Sequence, residues 1–153
     1  MNKEFHNIEL KVFVKPEDNY DNVKNAFFSL IPYSQQDVIK EKINFVEEKA
    51  EITNDRNIVI LSILFDRQRH IRTFFDFFKK KLSLEQKNFL VSQLDSRVDD
   101  ESNFFIRLDK DSLINDVVEI TDSGNCFHLR FLVASFPSSK SSSVNILEKL
   151  LLD

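Results

Sequence analysis

Glycine is almost absent from this chain, with 1 among 153 residues. Neither GxGxxG nor GxxxxGKS/T can be written with a single glycine, so dinucleotide-binding and P-loop enzymes are excluded. Cys126 is the only cysteine, which rules out an internal disulfide and any CxxC metal or redox motif. No apolar run approaches the roughly 18 residues needed to cross a bilayer. The N-terminal MNKEFHNIEL lacks the apolar stretch of a signal peptide. These absences lead to the expectation of a cytoplasmic protein with no cofactor and no membrane contact.

What is present is phenylalanine, 16 residues against 2 tyrosines and no tryptophan. A buried ring removes a large apolar area from water, so core filling is the first expectation for most of them. The length predicts a single domain over 1–153 around one core. The net charge of −4 offers no general attraction to nucleic acid, so phosphate binding would need cations gathered locally.

Residues 8–14 alternate, with Ile8, Leu10, Val12 and Val14 on one face and Glu9, Lys11 and Phe13 on the other, which predicts a half-buried strand. Asn19 is placed to cap a helix carrying Val23, Ala26, Phe27 and Leu30, and Pro32 closes it. Residues 38–47 are read as a long strand, bulged and exposed, with Ile39, Ile43 and Phe45 on one face, although the many Glu and Lys residues there also suit helix. After a turn at Asn54-Asp55, the β-branched run 58–65 predicts a central strand covered on both faces, or on one face and an edge. Ile71, Phe74, Phe75, Phe78 and Leu82 then recur at helical spacing over 66–82. Ser83 with Gln86 forms a capping box for a second helix, whose apolar side is Phe89, Leu90, Leu94 and Val98.

Phe104, Ile106 and Leu108 begin another strand, 109–114 reads as a bulge or helical turn, and 117–120 as strand again. Asp122 to Asn125 is predicted as a hairpin loop with Gly124 at positive φ. Phe127, Leu129, Phe131 and Val133 point inward on the return strand, and a last helix buries Val144, Leu147 and Leu151. Strands joined by hairpins, with helices in separate blocks, predict an α+β fold in which a largely antiparallel sheet has helices layered on one face.

Two cationic surfaces emerge from this reading. On a 100° wheel, Arg69, Arg72, Lys79 and Lys80 fall together on helix 66–82, opposite its Phe stripe. Such a row suits a phosphate backbone, although most charged helix faces are simply solvated. The strand alternation also turns Phe13, Phe105, Arg107, His128 and Arg130 away from the core face. Aromatic and basic residues on an open sheet are the materials for stacking single-stranded RNA; a covering segment or second subunit is the plainer alternative.

No catalytic or metal constellation is found. His6, His70 and His128 form no HxH or HExxH pair, and metal sites need convergent ligands. Cys126 has His128 two residues on, but a reactive thiol needs more than proximity, so an inert thiol is expected. Asp95, Asp99, Asp100 and Glu101 are read as a solvated loop rather than a Mg²⁺ site. Helix-turn-helix DNA binding is disfavoured, because Glu85 and Asp95 balance Lys87 and Arg97 on the would-be recognition helix.

Several segments together resemble a known family. They are Val14-Lys15-Pro16-Glu17-Asp18, Leu30-Ile31-Pro32, Leu94-Asp95, Asp99-Asp100-Glu101, Asn103-Phe104-Phe105-Ile106-Arg107-Leu108-Asp109-Lys110, Phe127-His128-Leu129-Arg130 and Phe136-Pro137. In this arrangement the chain is similar to the small archaeal RNA-binding proteins often described as predicted exosome subunits, whose fold resembles that of the ribosomal protein binding 5S ribosomal RNA. The chain departs from that pattern at Asp111 and Ser112, where the family has Gln and small residues, which sets an acid beside Lys110. The resemblance implies RNA binding or association with RNA-processing machinery.

The leading expectation is therefore a non-catalytic RNA-binding or RNA-processing accessory protein. Arg69, Arg72, Lys79 and Lys80 are candidates for the backbone, and Arg107, Lys110 and Arg130, with Phe105 and His128, for bases or sugars. The alternative is a dimerisation module that uses a Phe-rich sheet face to form a homodimer.

Overall fold

A computed structural model describes residues 3–53 and 56–153. Among them are five strands and seven helices: β1 (Phe5–Val14), α1 (Tyr20–Ser29), α2 (Gln35–Lys40), β2 (Asn44–Thr53), β3 (Arg56–Phe65), α3 (Gln68–Lys81), α4 (Leu84–Ser92), α5 (Leu94–Arg97), β4 (Asn103–Asp109), α6 (Lys110–Ile114), β5 (Cys126–Val133) and α7 (Lys140–Leu152). The strands form one antiparallel sheet in the order β2-β3-β1-β5-β4. The fold is α+β, as the arrangement of hairpins and helix blocks predicts.

Alternation decides which face the helices cover. Ile8, Leu10, Val12 and Val14 of β1, Leu61, Ile63 and Phe65 of β3, Phe104, Ile106 and Leu108 of β4, and Phe127, Leu129, Phe131 and Val133 of β5 are all buried. Onto them α3 lays Ile71, Phe74, Phe75 and Phe78. The rings meet in series: Phe65 stacks on Phe74 at 4.9 Å, Phe74 on Phe78 at 5.9 Å, and Phe131 lies within 6.1 Å of Phe5, Phe75, Phe78 and Phe104. Each such side chain contributes about 1.5–3 kcal/mol through burial. The predicted role of phenylalanine as core filler is met here.

Two capping signals formed as read. The Asn19 side chain accepts from the Asn22 amide, and Ser83 and Gln86 form both halves of the capping box. The helical turn after β4 is α6, capped by Asp109.

Elsewhere the structure corrects the reading. Residues 35–40 are helix, not strand, because Ser34 and Asp37 complete a second capping box. Ile39 is consequently 78% exposed, and the strand starts only at Asn44. β3 is an internal strand between β2 and β1, as a central strand was expected to be, but only one of its faces is buried and the other is part-exposed. β1 begins three residues earlier than expected, beyond a bulge between Phe5 and Asn7. The predicted helix over 84–98 breaks at Gln93 into α4 and α5; Leu90, Leu94 and Val98 are buried as expected, but Phe89 is 45% exposed rather than on the core side.

Residues 117–120 form a single bridge, Leu108 to Ile120, instead of a strand. The Asn54-Asp55 turn lies outside the described residues. Gly124 does not take positive φ; its loop is held by the Thr121 and Ser123 hydroxyls accepting from the Ser123 and Asn125 amides. The left-handed positions fall instead on Lys42, Ser102 and Asp116. Two of them close helices. The Ile43 amide reaches the Val38 carbonyl and the Lys42 amide that of Ile39, and the same pair of bonds recurs around Asp116 after α6. This is the hydrogen-bonding scheme that usually recruits glycine, executed by a chain that has almost none.

Candidate nucleic-acid interface

β4, β5 and β1 present a row of paired side chains on the face opposite the phenylalanine core. Phe105 lies across from Arg130 and Arg107 across from His128. One strand further, His128 faces Lys11 and Arg130 faces Glu9. Phe13 meets the His128 ring edge to face at 5.8 Å. These residues line a continuous groove that runs past Phe105 and Arg107 to Gln93, Ser96 and Arg97 of α4–α5 and Asp122. Phe105 is 41% exposed. The sheet alternation thus brings Phe105, Arg107, His128 and Arg130 together as expected.

The cations here are held in place rather than loose. Arg130 donates through Nη1 to the side-chain oxygens of Asn7 (3.0 Å) and Asn103 (3.2 Å). Arg107 donates to the Asp122 main-chain carbonyl at 3.0 Å. Glu9 sits between Lys11 and Arg130 at 3.9 and 4.0 Å, distances at which part-exposed pairs contribute little. The groove therefore carries Lys11, Arg97, Arg107 and Arg130 against Glu9 and Asp122. Its balance is positive on a chain that is acidic overall.

Burial, reinforced by the charges of Arg107, Lys11 and Lys110, pulls the His128 pKa below its ordinary value. At neutral pH its ring is an uncharged surface for stacking. Burial pushes the Cys126 thiol up. Its Sγ lies 3.6 Å from His128 Nε2, and burial disfavours the thiolate that is the nucleophilic form of a cysteine.

On α3 the cations have other occupations. Arg69 pairs with Glu41 at 3.1 Å. Lys79 donates to the Leu150 carbonyl (2.8 Å) and the Asp153 carbonyl (3.3 Å) at the end of α7, and lies over the Phe75 ring. Arg72 also has a partner, whereas Lys80 is exposed. Lys110 belongs to neither surface: it is 1% exposed, and its ammonium donates to the Phe13 carbonyl (2.7 Å) and Asp18 (2.9 Å). Its role is to tie α6 to the β1–α1 connection.

The loop acids do not converge. Asp99 accepts from the Glu101 and Asn103 amides and the Asn103 side chain, while Asp95 faces Lys140 at 4.0 Å. Among the described residues no group of three or more His, Cys, Asp or Glu side chains is arranged to hold a metal. No described helix is long and apolar enough to cross a membrane. Arg97 and Lys11 are additions that sequence reasoning missed. Arg97 was placed on a charge-balanced helix, and only the break at Gln93 turns it toward β4.

An antiparallel five-stranded sheet with one helix-covered face and one aromatic, cationic face defines the class of this molecule. The RNA-binding family model matches residues 7–133, and the chain belongs to that family. It is 24% identical over 146 residues to an RNA-binding protein of Pyrococcus abyssi, covering 95% of this chain and 93% of that one. Among solved structures, a DUF54 protein of Methanothermobacter thermautotrophicus is 26% identical with a TM-score of 0.74, covering 97% of this chain and 99% of its own. A DUF54 protein of Archaeoglobus fulgidus, at 17% identity, shares the fold with a TM-score of 0.78 over 97% and 99% of the two chains.

Proposed function

We propose that this chain is a non-catalytic, cytoplasmic RNA-binding protein, accessory to RNA processing, and that it takes single-stranded RNA on the open face of β1, β5 and β4. One observation carries the reading: Phe105, Arg107, His128 and Arg130 occupy consecutive facing positions on two neighbouring strands, with Lys11 and Phe13 alongside. Bases stack on the aromatic faces, while Arg107, Arg130 and Lys11 meet phosphates and sugars. Family membership supports RNA as the ligand. The resemblance to predicted exosome subunits and to the 5S-RNA-binding ribosomal protein supports a place in an RNA-processing complex. Arg72 and Lys80 of α3 are a secondary contact, reached by an RNA that extends around the molecule.

The competing reading is a homodimer that covers the same face with a second copy; the exposed Phe105 and Val46 favour it. Fluorescence anisotropy with a labelled single-stranded oligonucleotide, repeated across a salt series, tests the proposal. RNA binding loses about 0.7 in log K per phosphate contact for each decade of salt, and replacing both Arg107 and Arg130 by Ala lowers affinity and slope together. Salt-insensitive self-association without RNA binding would replace the proposal with the dimer.

A further inference from the structure

The far end of the groove, where α5 meets the outer side of β4, holds a charge arrangement that core packing does not require. The Arg97 side chain is 10% exposed. Two of its donors are committed, Nε to the Gln93 side-chain oxygen (2.8 Å) and Nη1 to the Phe105 carbonyl (3.3 Å). The remaining Nη2 faces a carboxylate oxygen of Asp122 at 3.6 Å, which is too long for a hydrogen bond. Asp122 is itself 94% exposed, so little holds its side chain there. Arg107 approaches from the other side and bonds the Asp122 main chain, not its carboxylate. A mostly buried guanidinium and a second arginine thus share one exposed, loosely placed counter-charge. Burial and the Arg107 charge both disfavour the ionised form of Arg97, with only Asp122 opposing them.

We infer that this cleft is a phosphate seat, in which the Asp122 carboxylate stands in for a phosphate of the bound RNA and is displaced by it. The inference rests on the RNA reading above. A phosphate supplies several oxygens where the carboxylate supplies one distant contact, and planar guanidinium groups suit such multidentate pairing. Phe105 lines both parts of the groove, so a nucleotide stacked on its ring has its backbone within reach of the seat. Asp122 then acts as an internal competitor that a phosphate must displace, so its carboxylate weakens binding of a strand that brings a phosphate to this point.

The test is Asp122→Asn, which keeps the shape and the main-chain contact to Arg107 while removing the charge. Binding of a labelled single-stranded oligonucleotide is expected to tighten by about fourfold at low salt, the Coulomb effect of one carboxylate about 5 Å from a phosphate in water. The Arg97 Nε–Hε NMR resonance is followed in parallel, because Arg97→Gln would also remove the bonds to Gln93 and Phe105. Tighter binding together with movement of that resonance on RNA addition upholds the seat. Equal RNA affinity for the wild type and Asp122→Asn overturns the seat and leaves the RNA reading standing. If no RNA binds, the RNA reading fails, and pyrophosphate becomes the probe. An Arg97 shift that strengthens in Asp122→Asn preserves the seat as an anion site, and no shift overturns it as well.

Discussion

The two faces of β5 are built from alternate residues of one eight-residue segment, and they behave as different materials. Phe127, Leu129, Phe131 and Val133 enter an apolar core of interlocked rings. His128 and Arg130 turn the other way, His128 between Lys11 and Arg107 and Arg130 toward Asn7 and Asn103, with buried Cys126 beside His128. On the first face the free energy comes from area removed from water and from tight packing. On the second a few polar and aromatic groups stand at fixed spacing, an arrangement that contributes little to stability and that the proposed function assigns to recognition. A single segment can serve both because strand side chains alternate with period two.

The sharpest way to break this contrast is on the covered side. Phe131 touches four other rings, so Phe131→Ala is expected to cost about 3–5 kcal/mol in urea unfolding. A cost near zero would mean that this face is not the core.

Lys110 joins the two faces, since its ammonium bonds the main chain of Phe13, whose ring lies on the open side. Its partner Asp18 answers to pH. Burial alone would raise the Asp18 pKa, but the Lys15 amide and the bond to and charge of Lys110 outweigh it and hold the carboxyl below its ordinary value. A depressed folded pKa contributes stability that is present above the unfolded value of about 3.9 and is lost as pH falls through the folded one. Asp18→Ala leaves Lys110 buried without a counter-charge, a loss of about 3 kcal/mol at neutral pH. The variant should also lose part of the wild-type acid sensitivity below about pH 4. Thermal unfolding across a pH series reads both effects.

On the open side the expected sign of the effect changes. Phe105→Ala should leave the unfolding midpoint nearly unmoved, while RNA affinity falls by about 1–3 kcal/mol for the stacked base. A variant that unfolds easily yet binds normally would reverse the roles assigned to the two faces. The smallest effect belongs to a turn. Lys42→Gly removes a left-handed lysine at the close of α2 and should stabilise by about 0.5 kcal/mol in chemical denaturation, the relieved strain less the entropy that glycine adds to the unfolded chain.

Much of this molecule could be read from local pattern. The alternation in 8–14 and 127–133, the 3.6 period of 71–82 and the Ser83–Gln86 box are short-range signals, and each formed where expected. The failures have equally local causes. The Ser34–Asp37 box stands in the chain, but the strand reading of 38–47 rests on Ile39, Ile43 and Phe45 sharing a face and takes no account of it. Residues 117–120 look like a strand because they run beside one: the Asp109 amide donates to Glu119 and the Thr121 amide to Arg107. They cover the outer edge of β4 without extending into a full ladder.

Which side chains share a face is a matter of periodicity, and a single strand or helix carries that information within a few residues. What each cation does is settled over much longer distances. Arg69 finds Glu41, Lys79 finds the end of α7 and Lys110 finds Asp18, partners separated by 28, 71 and 92 positions in the chain. Electrostatic pairing depends on distance in space and on exclusion of water, and neither exists until the chain has packed. Packing occupies Lys79 and Lys110 with structural tasks and carries Arg97 into the groove beside Arg107.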